Sequence, residues 1–189
     1  MIKTLIAAAI AASAFAAQAE SVTYNVDPSH TNARFEAIHF GTSTYRGRFD
    51  KKEGSVVIDT AAKTGKAEIT IDATSLSTGF GPLDTHLKSK DFFDVAAYPT
   101  ITFSGDKFTF SGDKVTSVAG TLTMHGQSHP VTLKASHYNC YDNPMLKRQV
   151  CGGDFEATIK RTEWGVSYGA PAPVADNVKL VIQIEAVKQ

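Results

Sequence analysis

Only two cysteines and one tryptophan occur in the 189 residues, so the chain can form at most one internal bridge. Charge of one sign is missing as well: 19 Lys and Arg face 19 Asp and Glu, for a formal net charge of zero. Without a basic face the chain lacks the electrostatic footprint of a nucleic-acid binder, and no nucleic-acid partner is expected. After residue 19 no apolar run approaches the ~20 residues that a membrane-spanning helix needs, so stable membrane insertion is not expected either. Leucine is scarce. Residues 20–189 hold 7 Leu against 19 Thr, 14 Val and 8 Ile, and that excess of β-branched residues suits pleated strands rather than helices. With 42% hydrophobic and 20% charged residues, the composition is that of a folded domain, which excludes disorder, collagen and coiled coil.

The one long apolar run lies at the N-terminus. Lys3 supplies a positive start, Leu5 to Ala17 is almost wholly apolar, and Ala17-Gln18-Ala19 has the small-x-small form of a cleavage site. Residues 1–19 therefore read as a signal peptide cut after Ala19, which places the mature chain from Glu20 onward in the periplasm. Residue 20 is Glu rather than Cys, so nothing points to a lipid-anchored terminus. Export gives Cys140 and Cys151 a meaning. Two cysteines 11 residues apart, between two strand-like runs in an oxidising compartment, read as a disulfide stapling a hairpin rather than as a metal site or redox pair.

Alternation dominates the rest. Ala33, Phe35, Ala37 and His39 share one strand face, as do Tyr45, Gly47 and Phe49, then Ala67, Ile69, Ile71 and Ala73. Later runs repeat the pattern through Val118, Gly120, Leu122 and Met124, through Val131, Leu133 and Ala135, and through Phe155, Ala157 and Ile159. The last is Val178, Leu180, Ile182, Ile184 and Ala186. Period two with one polar face describes antiparallel strands around a single interior. Shorter strands are expected at 22–26, 55–59, 100–104 and 107–110. Turn signals stand at Lys63-Thr-Gly65, Ser104-Gly-Asp106, Ser111-Gly-Asp113 and His125-Gly-Gln127. Asp84 to Asp94 breaks the pattern and reads as a short helix running into a turn. No linker divides residues 20–189, which form one domain. Periodicity leaves barrel and sandwich open. The many small inward residues favour a ligand-holding cavity over a filled core.

Chemistry-bearing patterns are few. No Gly-x-Ser-x-Gly nucleophile elbow, phosphate-cradling glycine loop or His-Glu-x-x-His pair is expected, so neither catalytic nor metal-binding residues are assigned and no enzyme is expected. Asp84, Asp91 and Asp94 read as caps and surface charges. His125, His129 and His137 flank a hairpin turn, as turn and edge residues or as a weak transition-metal cluster. His39 and His86 each end an apolar run, where a polar tip can meet a ligand headgroup or another strand's carbonyl. Phe80, Leu83, Leu87, Phe92 and Phe93 surround the helical segment as a lid over one barrel mouth, or as ordinary packing against a barrel end.

The string Tyr24-Asn-Val-Asp-Pro-Ser-His30-Thr31 with Phe35, His39, Gly41 and Gly47-Arg-Phe49 resembles the opening of the YceI-like family. Asp84-Thr-His-Leu-Lys-Ser-Lys-Asp-Phe-Phe-Asp94 running on to Phe103 is similar to its most recognisable block, and Gly120 to Leu133 to its central hairpin. Phe155-Glu-Ala157 with Arg161-Thr-Glu-Trp-Gly-Val166 resembles its closing segment. The resemblance implies an all-β, extended antiparallel, lipocalin-like β-barrel. It also implies a long-chain ligand, typically a polyisoprenoid quinone or prenyl-phosphate-like lipid, with no other cofactor, no catalytic residues, and a homodimer as the expected assembly. The expected wall is Phe35, Ala37, Phe49, Leu122, Met124 and Ile182, the mouth Phe80, Leu83, Leu87, Phe92 and Phe93, and the polar contacts His39 or His86. The resemblance implies Arg at position 83, where this chain has Leu, and larger aliphatics at the positions of Ala33 and Ala37. Two other functions stay open on the residues: an enzyme modifying such a lipid, and a cavity-free domain binding a partner protein.

Overall fold

The computed structural model describes residues 21–189; the expected leader and its cleavage site lie outside them. Eleven strands make one antiparallel sheet: β1 (Val22–Val26), β2 (Asn32–His39), β3 (Ser43–Phe49), β4 (Lys52–Asp59), β5 (Thr64–Asp72), β6 (Leu76–Ser77), β7 (Thr100–Ser111), β8 (Lys114–Met124), β9 (Gln127–Asn143), β10 (Arg148–Lys160) and β11 (Val174–Lys188). One α-helix, α1 (Gly81–Lys88), interrupts the chain between β6 and β7. Hydrogen bonding runs β1-β4-β5-β7-β8-β9-β10-β11 and returns from β11 to β1, so the sheet closes on itself as an eight-stranded barrel. Closure decides between the two architectures that alternation left open.

Three of the barrel's strands are bent in the middle, and specific side chains carry the ladder across each bend. β1 and β2 lie end to end along one edge of β11. Between them Pro28 cannot donate, and the Asp27 carboxylate accepts from the Ser29 N–H at 2.9 Å. Thr31 then stands in for backbone: its hydroxyl donates to Glu185 O and accepts from Glu185 N–H, each at 3.2 Å. β3 and β4 are likewise one strand kinked at Asp50-Lys51, where Lys51 N–H donates to Ser75 Oγ at 3.0 Å. A 3-10 turn, Ala73–Ser75, bends β5 into β6.

The local turn chemistry held where φ > 0 was needed. His125 and Gly126 sit at φ 51° and 73°, the two-residue turn whose twist matches its flanking strands. Two sequence expectations are corrected. Ser104-Gly-Asp106 is not a turn; β7 runs unbroken from Thr100 to Ser111, with a bulge between Gly105 and Lys107. A glycine in a strand marks a bulge as readily as a turn. The helix spans 81–88 rather than starting at Asp84: Pro82 takes a first-turn position, and the Ser89 hydroxyl donates to His86 O at its end. Residues 89–97 continue as turns.

Cys140 and Cys151 face each other directly on β9 and β10 and form the expected disulfide, with Cα atoms 4.1 Å apart. Closing a loop of that length is worth about 3 kcal/mol in the chain-entropy treatment. The Cys140→Ser/Cys151→Ser double variant should lose that much in urea unfolding. An unchanged midpoint would show that the hairpin ladder alone holds this end of the barrel.

Candidate functional site

The barrel is hollow. A cavity of about 470 Å³ runs along it, walled almost entirely by apolar atoms. β11 contributes inward residues from Val174 to Ala186. At ~3.3 Å per residue and a strand tilt of 35–45°, the wall is on the order of 30 Å long. Inward side chains such as Phe35, Ile69, Leu133, Leu180, Ile182 and Ile184 line it while remaining only half-buried. A filled core would bury them fully.

Twelve of the thirteen residues named from sequence stand on this wall: Phe35, Ala37, His39, Phe49, Leu83, His86, Leu87, Phe92, Phe93, Leu122, Met124 and Ile182. Phe80 does not. It caps α1 in an extended conformation and is 63% exposed, its ring outside the cavity. A helix starting at Asp84 puts Phe80 among the mouth residues; the actual start at Gly81 makes it the cap instead.

α1 and the turns that follow cover one end. The Asp84 carboxylate accepts from Thr78 N–H at 2.7 Å and Thr78 Oγ–H at 2.6 Å, which ties the helix to the end of β6. Leu83 and Leu87 then face inward one turn apart, and the Phe93 ring packs at 6.0 Å from Phe35 and 5.6 Å from Phe49. The rim is aromatic. His39 stacks on Tyr45 at 4.5 Å. His86 meets Phe92 and Tyr168 edge-on at 5.0 and 5.2 Å, while its Nε2 lies 3.2 Å from the Asp91 carboxylate.

Sequence reasoning missed the polar groups of the wall. Arg161 lines the cavity at 5% exposure, with no carboxylate in hydrogen-bond contact. Its guanidinium donates to four backbone carbonyls: Ala175 at 3.1 Å, Val166 at 2.8 Å, Tyr168 at 2.9 Å and Val174 at 3.0 Å. The signal was present, because Arg161 continues the inward alternation of Phe155, Ala157 and Ile159 by one step. At the far end Tyr24 and Tyr138 line the cavity beside Cys151. The Tyr24 hydroxyl donates to Gln149 Oε1 at 2.7 Å, and Tyr138 Oη lies 3.6 Å from Cys140 Sγ.

Burial raises both phenols, and Tyr138, further disfavoured by the neighbouring Tyr24, is pushed up to about 12. A phenol whose folded pKa is raised loses stabilisation as pH climbs through the window between the unfolded and folded values. Stability should therefore fall between about pH 10 and 12, and ultraviolet titration should show a late-ionising tyrosine that Tyr138→Phe removes. A Tyr138→Phe protein with the same late step would reassign it.

Of the hairpin histidines, two pack against Trp164 and His137 is exposed on β9, so the three do not converge. His125 Nδ1 bonds Trp164 O at 3.0 Å and His129 packs on Trp164 at 4.9 Å; among the described residues no His, Cys, Asp or Glu group is arranged to hold a metal ion. The expectation that no nucleophile-elbow motif occurs is corrected: Gly165-Val-Ser-Tyr-Gly169 has that spacing. Here it forms the loop between a 3-10 turn, Arg161–Trp164, and β11, not the strand-to-helix turn that exposes such a serine. No helix of the described residues is long and apolar enough to cross a membrane.

Known proteins share this architecture. Protein YceI of Escherichia coli is 31% identical over an alignment covering 100% of both chains. The solved structure of Burkholderia cenocepacia BcnA superposes with a TM-score of 0.71 at 26% identity, covering 85% of this chain and 99% of that one. A domain from Saccharophagus degradans described as polyisoprenoid-binding has a TM-score of 0.60 at 16% identity, over 88% and 98% of the two chains; at that identity it shares the fold. The YceI-like domain matches residues 24–186, and the chain belongs to the YceI-like family.

Proposed function

We propose that the protein is a periplasmic carrier that sequesters an amphiphile with a long isoprenoid or acyl chain in the barrel cavity. The observation that carries this reading is the long apolar hollow lined by half-buried inward side chains. Such a wall gains about 0.8 kcal/mol for each ligand CH₂ it removes from water, offset in part by the entropy of ordering a flexible chain. Phe35, Ala37, Phe49, Leu122, Met124 and Ile182 would contact the chain. Leu83, Leu87, Phe92 and Phe93 would close over it, and His39 or His86 would meet the headgroup at the rim. The polyisoprenoid-binding description of the Saccharophagus degradans domain supports a ligand of this kind.

Native mass spectrometry of protein purified from periplasm without detergent, followed by solvent extraction, tests the reading. A discrete added mass recovered as an isoprenoid or long-chain lipid is the expected result. A mass equal to the bare chain that does not change after incubation with such lipids would overturn it.

A further inference from the structure

Large apolar side chains left in water gather at the end of the barrel that α1 covers. Phe40, at the tip of the β2–β3 hairpin, is 70% exposed, Phe80 at the entry to α1 63%, and Tyr168 in the loop before β11 51%. The rim joins them. The Phe40 N–H donates to Pro173 O at 2.7 Å, and Tyr168 packs against His86 and Phe92 beside α1. Tyr45 and Tyr168 belong to the cavity wall and to the outer surface at once, so the apolar surface continues from the inside of the barrel to its outer lip. Isolated exposed hydrophobics need no explanation, but three large ones at the same end of the barrel as the mouth of an apolar cavity do.

We propose that this lip docks on the surface of a phospholipid bilayer, with Phe40, Phe80 and Tyr168 seated at the level of the headgroups. The inference rests on the carrier reading and adds where the cargo is exchanged: a long-chain lipid passes from bilayer to cavity along apolar surface without crossing water. Charge favours a bilayer over a protein partner. Beside the lip Arg46 pairs with Glu36 at 2.8 Å, while Lys88 at the end of α1 and the exposed Lys90 after it have no carboxylate within 4.0 Å among the described residues, so the aromatic side chains are joined by cations that an anionic phospholipid surface attracts. Aromatic rings are the side chains that settle at membrane–water boundaries.

Flotation of the mature protein with vesicles of phosphatidylethanolamine and phosphatidylglycerol (in a 3:1 ratio of about physiological charge) tests this. The protein should float with the vesicles, and 0.5 M salt, which leaves a Debye length of only a few ångströms, should weaken that without abolishing it, because the aromatic contact is not screened. Phe40→Ser and Phe80→Ser should each lower partitioning by about tenfold, since each removes a large apolar group from the contact. Neither side chain lines the cavity, so both variants should fold and carry ligand as before. Met145→Ser, at an 87% exposed position on the β9–β10 hairpin, is the control and should float unchanged. Failure of the unaltered protein to float, or equal flotation of the Phe variants, would overturn the proposal, as would a dimer in solution that Phe40→Ser splits, since the lip would then be a self-association surface. Native mass spectrometry of the same samples separates the two readings. A loaded protein that does not float overturns docking and leaves the carrier reading standing; one that floats but stays empty after incubation with isoprenoid or long-chain lipids upholds docking and removes the carrier reading.

Discussion

Ala37→Trp should empty the cavity without unfolding the barrel. Ala37 sits on β2 between Tyr45 of β3 and Val178 of β11, with its Cβ on the inner face. In a filled core a Trp there would cost about 1–3 kcal/mol in overpacking. Here the ring enters a hollow, and its roughly 150–250 Å² of surface replaces contacts that a ligand would otherwise make. Occupancy by co-purified lipid should drop by about tenfold, equivalent to ~1.4 kcal/mol of lost affinity, while the thermal midpoint stays close to that of the unaltered protein. The neighbouring Ile38→Trp is the register control: adjacent residues on a strand face opposite sides, and Ile38 points out. Equal occupancy in the folded Ala37→Trp protein would mean that the wall is assigned to the wrong residues or the ligand to the wrong place.

That pair of variants can be designed because the strand faces were legible. Alternation along β2, β8 and β11 put Phe35, Leu122, Met124 and Ile182 on the inside, and the barrel bears this out. Small inward residues do accompany a hollow, but not all of them create it. A Cβ on Gly47 would overlap the Phe35 ring, and one on Gly120 would strike the backbone of β7 at Ser104 and Gly105. Those glycines admit a ring and a bulged strand rather than a ligand. The room comes instead from Ala33, Ala37, Ala67 and Ala186 on the wall, in an eight-stranded interior that larger side chains alone could fill. What the sequence could not disclose depends on contacts far apart in the chain. Tyr138 points inward only because the β9–β10 register shifts near Asp154 and Phe155, breaking the parity set by Val131, Leu133 and Ala135. Bulges of this kind carry no reliable local signal. Phe80 was misplaced for the related reason that a three-residue error in a helix start changes which side chains face in.

Arg161→Met should destabilise the protein by about 2–5 kcal/mol. The guanidinium is the hub of the loop between the 3-10 turn and β11, bonding Val166 O, Tyr168 O, Val174 O and Ala175 O at once. Burial lowers its pKa while Asp176 works in the opposite direction, and an arginine remains charged under both influences. Asp176 is not its direct partner, because that carboxylate accepts from Thr162 N–H and Oγ–H at 3.0 Å each. Methionine keeps most of the volume but donates nothing. Each carbonyl left dry then costs about 1–3 kcal/mol, with those nearer the loop surface recovering water. Arg161→Lys should restore only part of the loss, since three donors on one nitrogen cannot span four acceptors arranged around a planar fork. The loop held this way supplies Val166, Tyr168, Pro173 and Val174 to the cavity wall. The Arg161→Lys protein, folded but with a loosened loop, should therefore release bound lipid faster than the unaltered protein. Urea unfolding reads the first effect and lipid transfer to empty vesicles the second. A loss of stability under about 0.5 kcal/mol for Arg161→Met, the range of ordinary surface substitutions, would show that the loop is held by its strand anchors and not by the buried charge.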